Sequence, residues 1–170
     1  MNKTGGLSME IRHIKHPFGA VIDKNCTILI LGSVPSVKSV EHNFYYMHPH
    51  NRFWQVLSKV FNEDFKNADI SLRKSLLLKN RVALYDSVEE CDILGSSDSK
   101  ITNVIPADIP ALIKYTDISR IFCNGTASYN NLIKYHPQLE SITVKLPSTS
   151  PANAAFGLDK LTAEWIKILK

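Results

Sequence analysis

Four short apolar or β-branched runs, Thr27–Leu31, Arg81–Tyr85, Ile118–Cys123 and Ser141–Leu146, punctuate the chain. Each has the length of a strand buried on both faces, and continuous apolar strands of that kind belong to parallel sheets covered by helices. The intervening segments change period. Arg52–Asn62 places Phe53, Val56, Leu57, Val60 and Phe61 at helical spacing, and Ser71–Leu78, Ile109–Lys114, Thr126–Tyr135 and Lys160–Leu169 also read as helices. Strands alternating with helices predict an α/β fold, a three-layer α/β/α sandwich with a central, mainly parallel four-stranded sheet. A chain of 170 residues holds one hydrophobic core and is too short for two ordinary domains, so residues 1–170 are expected to form a single domain.

Several function classes are disfavoured at this stage. No run of about 18 apolar residues exists, and the N-terminus lacks the apolar stretch of a secretory signal, which predicts a soluble, cytoplasmic protein with no membrane partner. Cys26, Cys91 and Cys123 are odd in number, widely spaced and without C-x-x-C spacing. They are expected to be buried thiols rather than ligands of a metal cluster. The net charge of +4 suits a polyanionic partner without demanding one. Because Lys and Arg are scattered rather than massed in a tail, affinity for DNA must come from a folded surface.

Open parallel sheets bind ligands beyond the carboxyl ends of their strands. Here those loops are chemically rich. The first strand leads into Gly32-Ser33-Val34-Pro35-Ser36 and then Tyr45-Tyr46-Met47-His48-Pro49-His50-Asn51-Arg52-Phe53-Trp54. The second ends at Asp86, the third at Asn124-Gly125, and the fourth at Pro147-Ser148-Thr149-Ser150-Pro151-Ala152-Asn153.

The order of these loops resembles the uracil-DNA glycosylase superfamily, which has a first motif after its first strand and a Pro-Ser loop near its C-terminus. The likeness runs over roughly residues 16–157 and is strongest to the hypoxanthine-DNA (deoxyinosine) glycosylase branch. In that branch a Gly-Ser-x-Pro-Ser/Gly loop precedes Tyr-Tyr-x-His-Pro-x-Asn-x-Phe-Trp. One position departs from the mismatch-specific relatives, whose water-activating Asn would fall on Val34. An aliphatic side chain cannot orient water, and the resemblance to the hypoxanthine branch implies Asn51 as the working amide.

The resemblance implies a monofunctional glycosylase of base-excision repair that flips a nucleotide out of DNA and hydrolyses its N-glycosidic bond with water. Hypoxanthine is expected ahead of uracil, with no cofactor and no metal. Asn51 would position the water, accepting from it and donating to a neighbour, or else cap the helix that follows. His48 would stabilise developing charge or contact a phosphate, or serve as a turn residue. Tyr45 and Tyr46 would stack on the extruded base unless they are core, while Phe53 and Trp54 read as core. Asp86 would accept the N1 proton of hypoxanthine or the N3 proton of uracil and so reject adenine, with Asn124 or a backbone donor meeting the carbonyl oxygen; the competing readings are a cap or ion pair for Asp86 and a turn residue before Gly125 for Asn124. Ser33 is a pocket candidate. Ser36, Ser148, Thr149 and Ser150 are candidate phosphate contacts, and Asn153 would approach the gap left in the duplex. Arg52 would meet a phosphate or solvent, and Asp98 would sit on a solvated loop or support the rim. His13, His16, His42, His50 and His136 show no metal-ligand spacing and receive no role.

The expected partner is DNA containing deaminated bases, bound by a monomer. The rivals are a uracil-preferring glycosylase, a catalytically silent DNA-binding module, for which Val34 argues, and a small-nucleotide-binding domain. The last would need a glycine-rich phosphate loop that this chain lacks.

Overall fold

The computed structural model describes residues 10–95 and 100–170. In chain order its regular elements are β1 (Ile11–Lys15), β2 (Ile28–Gly32), α1 (Val37–His42), α2 (Phe53–Phe61), α3 (Ile70–Lys79), β3 (Val82–Asp86), β4 (Val88–Leu94), β5 (Ile101–Pro106), α4 (Ile109–Ile113), β6 (Arg120–Asn124), α5 (Thr126–Tyr135), β7 (Thr143–Leu146) and α6 (Leu158–Trp165). Short 3-10 helices follow α5 and α6, at Pro137–Ile142 and Ile166–Leu169.

The expected central sheet is present. Its order is β3-β2-β6-β7, and all three pairings are parallel. Side chains alternate across it, as the two-residue period of a strand requires. Ile30, Val82, Leu84, Phe122 and Leu146 face a core built with Phe53, Val56 and Leu57 of α2, Leu77 of α3, and Leu161 and Trp165 of α6. Leu29, Leu31, Ala83, Ile121 and Cys123 face the opposite layer, with Ile109 of α4 and Leu132 of α5. Both faces of β2, β3 and β6 are therefore dry, which explains why those strands read as continuous apolar runs, whereas the edge strand β7, expected to be buried on both faces, buries only Leu146 and exposes Lys145. Burial pushes the Cys26 thiol up to about 11 and the Cys123 thiol up to about 12, so both stay neutral packing groups.

Three details differ from expectation. The first is a second sheet, antiparallel, of order β1-β4-β5. It escapes a periodicity reading because β4 shifts register against β5 between Val88 and Glu90 and again between Glu90 and Asp92, which breaks the apolar alternation. Its apolar face is small, with Ile14, Val88, Cys91 and Ile93 at its centre. Secondly, the segment after Pro137 spends six residues in a 3-10 helix, so the last strand begins at Thr143 instead of Ser141. Thirdly, α1 was not anticipated. Ser36 starts it by accepting from the Ser39 N–H, and Asn43 ends it in the left-handed conformation.

The strand order places the functional region. From β2 the chain crosses to β3 on one side, and from β6 it crosses to β7 on the other, so the loops leaving β2 and β6 diverge and open a crevice at the carboxyl edge of the sheet. No helix among the described residues is long and apolar enough to cross a membrane. The loop carrying Asp98 lies outside the described residues.

Candidate active site

The crevice is a cleft of about 680 Å³ lined by the loop after β2, the ends of β3 and β6 at Asp86 and Asn124, the Asn51 loop and the Pro-Ser loop after β7. Its floor is Gly32, the last residue of β2. A Cβ there would stand 2.3 Å from Asp86 Oδ1 and 2.8 Å from the Tyr46 hydroxyl, so a residue without a side chain is what lets these two polar atoms converge. Asp86 is the last residue of β3 and pairs with Gly32 in the sheet register.

Tyr46 is held in an unusual way. Its backbone is left-handed at φ 54°, and its ring stacks on Phe53 with centroids 3.9 Å apart. Its hydroxyl oxygen is buried and makes no hydrogen bond of regular geometry, although the Asn124 side chain lies near enough to interact with it. A buried polar atom left unpaired costs about 1–3 kcal/mol, and such atoms concentrate where a ligand supplies the missing partner. Burial, and after it the charge of Asp86, pushes the phenol above its ordinary value, so it remains protonated and able to donate.

Across the cleft, one hydrogen-bonded chain fixes the working amides. The Thr149 backbone N–H donates to Asn124 Oδ1 at 3.0 Å, which identifies the oxygen of that amide. Asn124 Nδ2 then donates to Thr149 Oγ1 at 2.9 Å, and Thr149 passes its own hydroxyl proton to Asn51 Oδ1 at 2.9 Å. The Phe53 N–H donates to the same Asn51 oxygen at 2.9 Å. Both lone pairs of that oxygen are therefore used. Asn51 Nδ2 makes no hydrogen bond to a described residue, and Asn51 lines the cleft. The two readings of Asn51 merge here: its oxygen holds the start of α2, and what it offers the cleft is a donor. The expectation that it accepts from a water is corrected accordingly.

The Pro-Ser loop is held from behind. Arg52 donates from Nε to the Thr149 carbonyl at 3.3 Å, from Nη2 to the carbonyls of Ser150 at 2.8 Å and Asn153 at 3.1 Å, and from Nη1 to the Phe156 carbonyl. These bonds tie the loop to the Asn51 motif; the carbonyls of Thr149, Ser150 and Asn153 each also accept from a backbone N–H. Gly125, at φ 95°, packs under the same loop, where a Cβ would come within 3.0 Å of Ser148 Cβ.

The architecture and the two facing motifs agree with comparisons to known proteins. The family model of the uracil DNA glycosylase superfamily matches residues 19–170. The chain belongs to that superfamily. A hypoxanthine DNA glycosylase from Methanosarcina acetivorans is 33% identical over 161 residues, covering 92% of this chain and 99% of that relative. A second protein of that name, from Methanosarcina barkeri, is 38% identical over 87 residues, 51% of this chain and 55% of that relative. A solution NMR structure of a candidate uracil DNA glycosylase from Methanosarcina acetivorans superposes with a TM-score of 0.76 at 30% identity, covering 95% of this chain and all of that one.

Within this superfamily member, Asn51, His48, Tyr46, Asp86, Ser33, Ser148 and Ser150 all line the cleft. His48 Nδ1 accepts from the His50 N–H, so the neutral ring carries its proton on Nε2 and is a donor on its free side. Other expectations change. Tyr45 belongs to the core: it is 2% exposed and its hydroxyl donates to the Gly19 carbonyl, which leaves it to wall the cleft rather than stack on a base. Ser36 caps α1 and donates to Ser39 Oγ, so its hydroxyl is engaged twice. Thr149 is fully buried and bridges the two motifs instead of meeting a phosphate. Asn124 is occupied by that bridge at both ends of its amide. Asn153 lies off the cleft and donates to the Ser148 carbonyl, and Arg52 is a loop clamp.

Two residues escaped the sequence reading. Arg12 of β1 lines the cleft, its Nε donating to the Gly95 carbonyl at 3.4 Å. His16 bonds Asp86 from behind, Nε2 to Oδ2 at 2.7 Å. Arg12 precedes the segment that carried the resemblance and His16 opens it, and neither sits in a motif; only the missed antiparallel sheet would have drawn attention to them. Among the described residues no group of three or more His, Cys, Asp or Glu side chains is arranged to hold a metal ion.

Proposed function

We propose that this chain is a single-domain DNA glycosylase that excises hypoxanthine, and uracil less readily, by hydrolysis of the N-glycosidic bond of a flipped nucleotide. The observation that carries the reading is the convergence of Asp86 Oδ1 and the buried Tyr46 hydroxyl over Gly32. An acceptor beside a donor complements the lactam edge of a deaminated base, in which an N–H adjoins a carbonyl oxygen. Adenine presents the reverse order, a lone pair beside an amino group, and leaves both protein atoms unsatisfied. A site built to bond a particular edge rejects the wrong one strongly because its own buried groups then go unpaired. Belonging to the uracil DNA glycosylase superfamily and likeness to relatives named hypoxanthine DNA glycosylase support the same reading.

In this account Asn51 holds the attacking water by donating from Nδ2 to its oxygen, which keeps a lone pair for C1′ of the sugar. The bond from C1′ to the base nitrogen breaks and the bond from C1′ to the water oxygen forms. The water proton goes to the departing base, giving free hypoxanthine and an abasic site. Negative charge developing on the base meets the Tyr46 hydroxyl, a prepositioned donor in a water-poor site. His48 Nε2–H and the hydroxyls of Ser33, Ser148 and Ser150 serve the sugar-phosphate strand at the rim. No lysine stands in the two motifs, and Lys38, which lines the cleft from α1, is paired with Glu41 at 2.8 Å, which favours hydrolysis over an amine-mediated lyase step. The protein would act as a monomer in the cytoplasm.

The test is release of free base under enzyme excess from matched oligonucleotides carrying hypoxanthine, uracil or adenine. The proposal expects hypoxanthine to be released fastest, uracil more slowly and adenine not at all. Adenine release equal to hypoxanthine would remove the lactam reading.

A further inference from the structure

Behind Asp86 lies a histidine for which the chemistry above has no use. His16 is buried with its partner, the two side chains being 1% and 4% exposed. Its ring is wedged among Phe18, Tyr45 and Tyr85, with centroids 4.7, 5.9 and 4.8 Å away. Nδ1 lies against the Phe18 carbonyl and Nε2 against Asp86 Oδ2.

The proton arithmetic of this arrangement is fixed. A carbonyl oxygen has nothing to donate, so Nδ1 must carry a hydrogen to bond Phe18. One further proton lies between Nε2 and Oδ2. If it rests on nitrogen, Asp86 is a carboxylate; if it rests on Oδ2, Asp86 is an acid whose other oxygen is a carbonyl. In either allocation Oδ1, the oxygen over Gly32, bears no hydrogen. The other titratable groups around the pair are the phenols of Tyr45, Tyr46 and Tyr85, and Glu89, which accepts the Tyr85 hydroxyl at 2.7 Å. None of them holds Oδ2 in its place.

We infer that His16 is a specificity-determining residue: by occupying Asp86 Oδ2 it makes Oδ1 an obligatory acceptor, so the cleft takes a base edge that carries an N–H. His16 touches no reacting atom and acts through Asp86, as a positioning residue. Without it, Asp86 could turn or carry a proton toward the cleft and present a donor. The inference rests on the glycosylase reading above.

The experiment compares base release from oligonucleotides carrying hypoxanthine or 1-deazahypoxanthine, which has the same outline but a C–H in place of N1–H. Intrinsic differences in leaving ability are common to every variant, so the change in the rate ratio is what is read. Wild type is expected to favour hypoxanthine. His16→Leu should reduce that ratio by about tenfold, the weight of one hydrogen bond. His16→Gln, whose amide N–H can still donate to Oδ2, should restore most of it. A general packing role would instead lower both rates together.

If His16→Leu does not fold, Asp86→Asn decides. Neutral His16 then accepts from the new amide at Nε2, the amide oxygen stays over Gly32, and the ratio is kept although the rate falls. A ratio unchanged in folded His16→Leu, or lost in Asp86→Asn, overturns the inference while the glycosylase reading stands. Failure of wild type to release either hypoxanthine or uracil removes that reading itself.

Discussion

Thr149 donates its hydroxyl proton to the side-chain oxygen of Asn51 at 2.9 Å, joining two loops that stand 98 residues apart in sequence. Through this bond the amide that faces the cleft is oriented by the opposite motif. Thr149→Val keeps the shape and removes the proton. It leaves Asn124 Nδ2 without its acceptor, so the protein should lose about 1–3 kcal/mol of stability. Base release should slow by about ten- to hundredfold, since a small misplacement of a positioned group is enough for that. Thermal denaturation and single-turnover kinetics on the same preparation check both numbers.

Arg52 was a candidate phosphate contact, yet its guanidinium is spent on the carbonyls of Thr149, Ser150, Asn153 and Phe156. Arg52→Ala should therefore lower stability by about 1.5–3 kcal/mol, the range for hydrogen bonds to a charged donor. The salt dependence of DNA binding by the folded fraction should not change. A reduced salt slope without loss of stability would return Arg52 to the phosphate role.

Arg12 makes the opposite prediction. It lines the cleft from β1, tied only through Nε to the Gly95 carbonyl among the bonds described. Arg12→Ala should leave stability nearly unaltered and reduce the slope of log affinity against log salt by about 1, the signature of one lost phosphate contact. Binding isotherms at several salt concentrations measure it.

The chain announces its central sheet because β2, β3 and β6 are dry on both faces, and dryness writes itself as apolar runs. Helix α2 was legible for the same reason: Phe53, Val56, Leu57 and Val60 all point to the core. The antiparallel sheet was not legible, because bulges in β4 break its alternation and its strands carry charged residues such as Glu90 and Asp92. That omission concealed Arg12 and His16. Within the motifs, residue type indicated which side chains gather at the cleft but not which atoms remain free. Thr149 and Ser150 read alike as polar loop residues, and only the fold shows that the first is buried and bridging while the second lines the cleft.

The second sheet also carries a pH dependence. His13 on β1 lies between Asp92 and Glu90 of β4, at 2.7 and 2.8 Å. Bonds to Asp92 and then Glu90 raise His13 above its ordinary 6.5, while Asn103 and then His13 hold Asp92 below its ordinary 3.8. The His13 contribution to stability is present in full below 6.5 and is lost as pH rises through the raised value; that of Asp92 is present above 3.8 and is lost as pH falls through the lowered one. His13→Ala should accordingly cost more stability near pH ~5, where the contribution is present in full, than near pH ~8. Denaturant melts of the two proteins at both pH values give the comparison.

The central claim is that the donor Asn51 presents to the cleft drives hydrolysis of a flipped deaminated nucleotide. Single-turnover release of hypoxanthine from a labelled duplex, measured for wild type and Asn51→Ala beside their DNA affinities, tests it most directly. The account predicts release by wild type, and for Asn51→Ala nearly unchanged binding with release slowed by about a hundredfold or more. Full release by a folded Asn51→Ala protein, or binding by wild type with no release of base, would contradict it.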